Sequence, residues 1–126
     1  MSRVRAQVFV YGSLLAGEPN HRVLAGAALV GAATTTPAFT LYDLGAFPGL
    51  VACGEQVVAG EVYEVDAVGL ARLDRLEGHP SFYRRTPITL ADGAQVETYL
   101  LTRVQVAGRP VVAAGSWRAH RKERRR

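Results

Sequence analysis

Residues 56–78, Gln56-Val57-Val58-Ala59-Gly60-Glu61-Val62-Tyr63-Glu64-Val65-Asp66-Ala67-Val68-Gly69-Leu70-Ala71-Arg72-Leu73-Asp74-Arg75-Leu76-Glu77-Gly78, change their hydrophobic period part-way along. Gln56–Val65 alternates as a half-buried strand does. From Ala67 the pattern turns helical, with Leu70, Leu73 and Glu77 on one face at spacings of three and four. Asp66 suits the N-cap and Gly78 the left-handed residue that ends a helix. Ala67–Glu77 is thus the clearest helix in the chain, and it follows a strand directly.

Strand signals dominate on either side. Gln7–Tyr11 is apolar and strand-prone and stops at the turn pair Gly12-Ser13. Gly17-Glu18-Pro19-Asn20 is a second turn, and Asn20 can cap a short helix through His21–Ala25, ended by Gly26. Ala27–Thr36 and Ala38–Leu44 read as strands broken at Pro37. Gly45–Gly54 mixes glycine and proline with apolar residues and reads as a loop over a pocket. Arg84–Leu90 and Gln95–Arg103 are strands joined by Ala91-Asp92-Gly93-Ala94, a hairpin signal. Val104–Val112 is a further excursion or strand around Gly108. Many strands and few crossover helices predict an α+β chain. Its architecture is a small mixed, mostly antiparallel β-barrel with a few flanking helices, not a doubly wound parallel sheet.

The 126 residues suit one domain able to bury a core without staples. Cys53 is the single cysteine, so no internal disulfide forms, which fits a reducing cytoplasm. Met1–Gln7 lacks the apolar core and cleavage site of a signal peptide, and no apolar run reaches the roughly 20 residues of a membrane span. A cytoplasmic location with no membrane partner is therefore expected. Charge is concentrated at the end. Residues 118–126 carry Arg118, Arg121, Lys122, Arg124, Arg125 and Arg126 against Glu123, whereas residues 1–117 hold nine Lys/Arg and ten Asp/Glu. The expectation is a domain over residues 1–117 and a flexible, solvated basic tail over residues 118–126. A nucleic-acid partner would have to bind through that tail, because the body has no basic stripe.

Glu77 is the most informative candidate for chemistry. A carboxylate on an apolar helix face is costly without a partner or a task. Burial and the negative helix end would both raise its pKa towards neutrality, where one carboxyl can take and return a proton. The opposing reading is a solvent-reaching end-of-helix residue paired with Arg84 or Arg85, and periodicity does not decide between them. The turn Tyr11-Gly12-Ser13-Leu14 is the second candidate. A glycine after a buried strand lets backbone approach a ligand, and successive N–H groups can hold a carboxylate or an oxyanion. It is not a phosphate loop, since no Gly-Lys-Ser/Thr follows. His21, His79 and His120 lack metal-ligand spacing, so no metal is expected, and His21 and His79 read as structural. Cys53 has no signalled base, and Ser13 has no nucleophile-elbow context. Trp117 reads as an anchor for the C-terminal segment.

Val8-Phe9-Val10-Tyr11-Gly12-Ser13-Leu14 followed by Gly17-Glu18-Pro19-Asn20-His21 resembles the opening of γ-glutamylamine cyclotransferases and their bacterial relatives. Leu73-Asp74-Arg75-Leu76-Glu77-Gly78-His79-Pro80, then Tyr83-Arg84-Arg85, resembles the acidic-helix motif of that γ-glutamylcyclotransferase family and the strand after it. Tyr99 and Gly115-Ser116-Trp117 also match, although many members have Asp where this chain has Ser116. The resemblance spans residues 7–120. It implies a small β-barrel with flanking helices, a γ-glutamyl group held at Tyr11, Gly12, Ser13 and Leu14, and Glu77 as acid/base. It also implies that Tyr83 and Tyr99 line the pocket, the alternative being core packing with satisfied hydroxyls. The implied reaction releases 5-oxoproline and an amine or amino acid without metal or organic cofactor. The rival readings are a binding module on the same fold and a nucleic-acid-associated protein. A monomer or weak dimer is expected. The motifs end at Trp117, so loss of the basic tail is expected to leave turnover nearly intact.

Overall fold

The computed structural model describes residues 5–124. Val8, Phe9 and Val10 mark the middle of its sheet, because all three are buried although neighbours on a strand face opposite ways. Their strand β1, Arg5–Val10, is covered on both faces. Val8 and Val10 belong to a cluster with Leu14, Leu73, Tyr83 and Tyr99. Phe9 belongs to another with Leu41, Leu50, Val58, Val112 and Trp117.

The other strands are β2 Ala28–Thr34, β3 Phe39–Asp43, β4 Pro48–Gln56, β5 Ala59–Asp66, β6 Arg84–Thr89 and β7 Gln95–Leu100. They form one seven-stranded sheet in the order β2-β5-β1-β7-β4-β3, with β6 also paired to β7. Most pairs are antiparallel, while β7 runs parallel to β1 at Val8–Glu97 and to β4 at Leu50–Leu100. The sheet therefore forks on β7. At Tyr11 the chain leaves that strand, and β4 takes its place. The Tyr11 hydroxyl bridges the fork, donating to the Tyr99 carbonyl at 2.6 Å and accepting from the Leu50 N–H at 3.3 Å.

Helix α1, Ala67–Glu77, has the ends that its sequence demands. The Asp66 carboxylate accepts from the Gly69 N–H at 2.8 Å, and Gly78 has φ 67°. Leu73 is fully buried against the sheet. No described helix is long and apolar enough to cross a membrane.

Four expectations need correction. The mixed α+β sheet is present, but it curls without closing into a barrel. Among the described residues, the chain just past β2 meets that just past β6 through one isolated bridge, Thr35–Leu90. Second, most of Gly45–Gly54 is strand β4, not loop, and Cys53 is an exposed strand residue. Here glycine serves close approach. A Cβ on Gly49 would lie 2.4 Å from a Leu101 methyl, and Pro48, first in the strand, needs no N–H there. Third, the predicted short helix at His21–Ala25 is a 3₁₀ turn, His21–Leu24; of the two readings of Val104–Val112 the excursion holds, as turns with one bridge, Tyr42–Val111.

Fourth, the supposed flexible tail runs as helix α2, Trp117–Arg124, across the expected boundary at residue 117. Trp117 is 2% exposed and anchors it in the core. His120 Nε2 lies 2.8 Å from Asp43 Oδ2, Arg118 donates to the Ala16 carbonyl at 2.7 Å, and Arg121 pairs with Glu18. Arg118 and Arg121, which sequence alone leaves in solvent, thus meet acceptors on the body, while Lys122 is exposed. Arg125 and Arg126 lie outside the described residues.

Candidate active site

Two cavities meet at Glu77. The outer is an open cleft of about 690 Å³ bounded by Ser13, Asn20, Phe47, Glu77, Tyr83 and Arg121, among others. The inner is a recess of about 30 Å³ against Tyr11, Gly12, Ser13, Leu14, Pro48 and Tyr99. Ser13, Phe47, Glu77 and Tyr83 line both. The structure thus brings together all seven residues singled out in the sequence, from the turn after β1, the end of α1, the approach to β6, and β7.

Glu77 reaches this place because it lies one helical turn after Leu73, on the face that α1 turns to the sheet. Burial pushes its carboxyl up from 4.5 to about 7. The competing reading was a solvent-reaching carboxyl, with Arg84 or Arg85 as its partner. Arg85 instead binds Asp74 at 2.9 Å and Glu97 at 3.0 Å.

Asp74, one turn before Glu77, ties the same helical turn to the sheet. Its carboxylate accepts from the Tyr99 hydroxyl at 2.7 Å and from Arg85 Nε and Nη2. Burial alone would raise the Asp74 pKa, but these hydrogen bonds and the charge of Arg85 outweigh it and hold the carboxyl low. Tyr99 therefore lines the recess while its hydroxyl is committed to holding α1. Burial, then the bond to Asp74, raises its pKa. Tyr83 donates to the Pro48 carbonyl at 2.5 Å, and burial followed by the Glu77 charge raises its pKa. Tyr11 is raised well above its ordinary value by burial, then by Tyr83 and Glu77. All three phenols stay neutral near pH 7 and act as fixed hydrogen-bonding groups.

The turn after β1 is held from outside. The Gly12 carbonyl accepts from the Leu15 N–H and the Ser13 carbonyl from the Asn20 N–H. Asn20 Nδ2 donates to Ser13 Oγ at 3.0 Å, and His21 Nδ1 donates to the Leu14 carbonyl at 2.9 Å. Among the described residues, the N–H groups of Gly12, Ser13 and Leu14 donate to no protein acceptor. Gly12 has a different reason from the one its sequence suggests. A Cβ there would meet Pro48 at 2.6 and 2.8 Å, so glycine admits the proline that closes the recess. His79 is structural, its Nδ1 accepting from the Arg85 N–H. No cluster of three or more metal-ligating side chains exists among the described residues.

Sequence reasoning missed Phe47, Pro48, Phe82 and Arg121 as lining residues. The mixed apolar and glycine content of residues 45–54 pointed to the first two, read there as a loop over a pocket. Nothing local marked Arg121, which sits in a run of similar cations.

Comparison with known proteins fits this geometry. The model of the family described as "Gamma-glutamyl cyclotransferase, AIG2-like" matches residues 8–119. A Vibrio cholerae relative is 56% identical over 81 residues, covering 64% of this chain and 70% of its own. The "Gamma-glutamylaminecyclotransferase" of Rattus norvegicus is 40% identical over 96 residues, covering 66% of this chain and 62% of its own. The solution structure of protein ytfP from Escherichia coli superposes with a TM-score of 0.70 at 35% identity, covering 88% of this chain and 95% of its own. The chain belongs to the γ-glutamyl cyclotransferase, AIG2-like family.

Proposed function

We propose that the protein is a γ-glutamylcyclotransferase in which Glu77 is the general acid/base and the Tyr11–Leu14 turn grips the substrate. One observation carries this reading: the Glu77 carboxyl lines the same recess as the turn whose Gly12, Ser13 and Leu14 N–H groups meet no acceptor among the described residues, and burial raises that carboxyl's pKa towards neutrality. The Glu77 carboxylate takes a proton from the substrate's α-ammonium. The freed amine attacks its own γ-carbonyl and closes a five-membered ring, a step that needs orientation above all. As the new C–N bond forms, the carbonyl electrons move to oxygen, where N–H groups of Gly12, Ser13 and Leu14 can receive the charge. Collapse of this intermediate breaks the original amide bond as Glu77 gives its proton to the leaving nitrogen; the carboxylate then takes the second proton from the ring nitrogen and passes it to the departing amine, which leaves as an ammonium. The products are 5-oxoproline and a free amine or amino acid. No water is consumed, and the reaction draws on no cofactor.

Tyr83 and Pro48 close the recess behind the reacting carbonyl, and Tyr99 acts on the site through Asp74. The test is a panel of γ-glutamyl amines and γ-glutamyl amino acids incubated with the protein and assayed for 5-oxoproline by mass spectrometry. Release from at least one class is expected. No release from any compound by well-folded protein would refute the proposal.

A further inference from the structure

The inner recess has room for one small group only, so the leaving amine of any γ-glutamyl substrate must lie in the outer cleft. That cleft has an uneven wall. Phe47, Leu76, Phe82 and Trp117 give it apolar surface. Among the described residues, the charged side chains that line it are Glu77 and Arg121. Glu77 belongs to the proton transfers, which leaves Arg121, among the described residues, as the cation facing the leaving group.

Arg121 is placed with some care by the fold. Trp117 anchors α2 one helical turn before it, and the neighbouring His120 is tied to Asp43. Its Nη1 meets Glu18, whose side chain is only 10% exposed and does not line the cleft, while the Arg121 side chain is 29% exposed. Glu18 thus lies behind the guanidinium as a brace. A guanidinium has five N–H donors. Among the described residues, Arg121 Nε and Nη2 meet no protein acceptor. A planar fork of this kind suits a carboxylate.

We propose that Arg121 reads a carboxylate on the leaving amine, so that the preferred substrates are γ-glutamyl amino acids with apolar side chains rather than simple or cationic γ-glutamyl amines. This rests on the cyclotransferase reading above. In the bound state, the γ-glutamyl head lies at the Tyr11–Leu14 turn and the departing nitrogen near Glu77. The side chain of the leaving residue packs on Phe47 and Phe82, and its carboxylate meets Arg121. A polyamine leaving group would bring a second ammonium to the same guanidinium and be rejected by like charge.

The experiment compares γ-glutamylvaline with γ-glutamylisobutylamine, which differ only by that carboxylate. For the wild-type protein, kcat/KM is expected to favour the acid by about tenfold or more, the scale of one charge-assisted hydrogen-bonded contact. Arg121→Gln should lower kcat/KM for the acid far more than for the amine and collapse the ratio to within about threefold. Arg121→Lys keeps the charge, loses the fork, and should fall between the two. Equal wild-type turnover of both compounds overturns the inference and leaves the cyclotransferase reading standing. So does a ratio that Arg121→Gln leaves unchanged. Release of 5-oxoproline from neither compound by the wild type overturns both. If Arg121→Gln does not fold, the wild-type ratio and Arg121→Lys still decide.

Discussion

Glu77→Gln separates acid–base chemistry from every other property of the site. The amide keeps the size of the carboxyl and most of its hydrogen-bonding capacity, but it exchanges no proton near neutral pH. General acid/base help is worth about 10²–10⁴ in rate, so kcat should fall at least about a hundredfold. The turn still supplies the grip, and KM should change little. Stability supplies an independent readout. Burial raises the Glu77 pKa from 4.5 to about 7. The folded state thus binds this proton more tightly than the unfolded chain does. The resulting stabilisation is complete below pH 4.5 and disappears as pH rises through 7. Between pH 5 and pH 8, this one group should remove about 2.5 kcal/mol of wild-type stability, at 1.36 kcal/mol per pKa unit. Glu77→Gln should lack that loss, so urea midpoints of the two proteins should diverge in favour of the variant as pH rises. Wild-type kcat/KM should also fall about tenfold per pH unit below 7, as the base form is lost. Near-normal turnover by a well-folded Glu77→Gln protein, measured as 5-oxoproline release, would refute the mechanism. Identical pH dependence of stability in both proteins would refute the half-buried, proton-tight carboxyl.

Gly12→Ala forces a methyl to within 2.6 and 2.8 Å of the Pro48 ring carbons, and overpacking of this kind costs about 1–3 kcal/mol. Chemical denaturation should show that loss together with reduced turnover, and an unaltered midpoint would show that Pro48 moves aside freely. A chain ending at Ala119 loses the His120–Asp43 and Arg121–Glu18 pairs and exposes two acceptors that are largely buried. Instead of the harmless truncation that the motif positions suggest, it should lose about 1–3 kcal/mol of stability and much of its activity on γ-glutamyl amino acids. A wild-type midpoint and rate would show that α2 contributes to neither.

Which parts of the site are local and which are not follows from particular residues. The spacing of Leu70, Leu73 and Glu77, with Asp66 and Gly78 at the ends, is a local pattern, and α1 forms over the predicted Ala67–Glu77. The same period put Glu77 on the apolar face but left open whether its carboxyl reached solvent, which the packing of α1 on the sheet decided. The Tyr11–Leu14 turn after an apolar strand was legible for similar reasons. By contrast, β4 was hidden because Pro48, Gly49 and Gly54 are breakers by intrinsic preference. Their glycines are explained by Leu101 and Thr40, which approach from distant parts of the chain. The docking of α2 was hidden because a run of cations looks alike in sequence whether it faces water or meets Asp43 and Glu18 across the fold. Local pattern was enough for the helix that carries Glu77, the apolar face on which it sits, and the Tyr11–Leu14 turn, because each depends on short periods, caps and turn residues. Tertiary structure alone decided that Tyr11 spans the fork in the sheet, that Pro48 closes the recess, that Arg85 binds Asp74 instead of Glu77, and that Arg121 reaches the cleft. Those outcomes depend on side chains far apart in the chain competing for the same space and the same hydrogen bonds, and no local pattern records that competition.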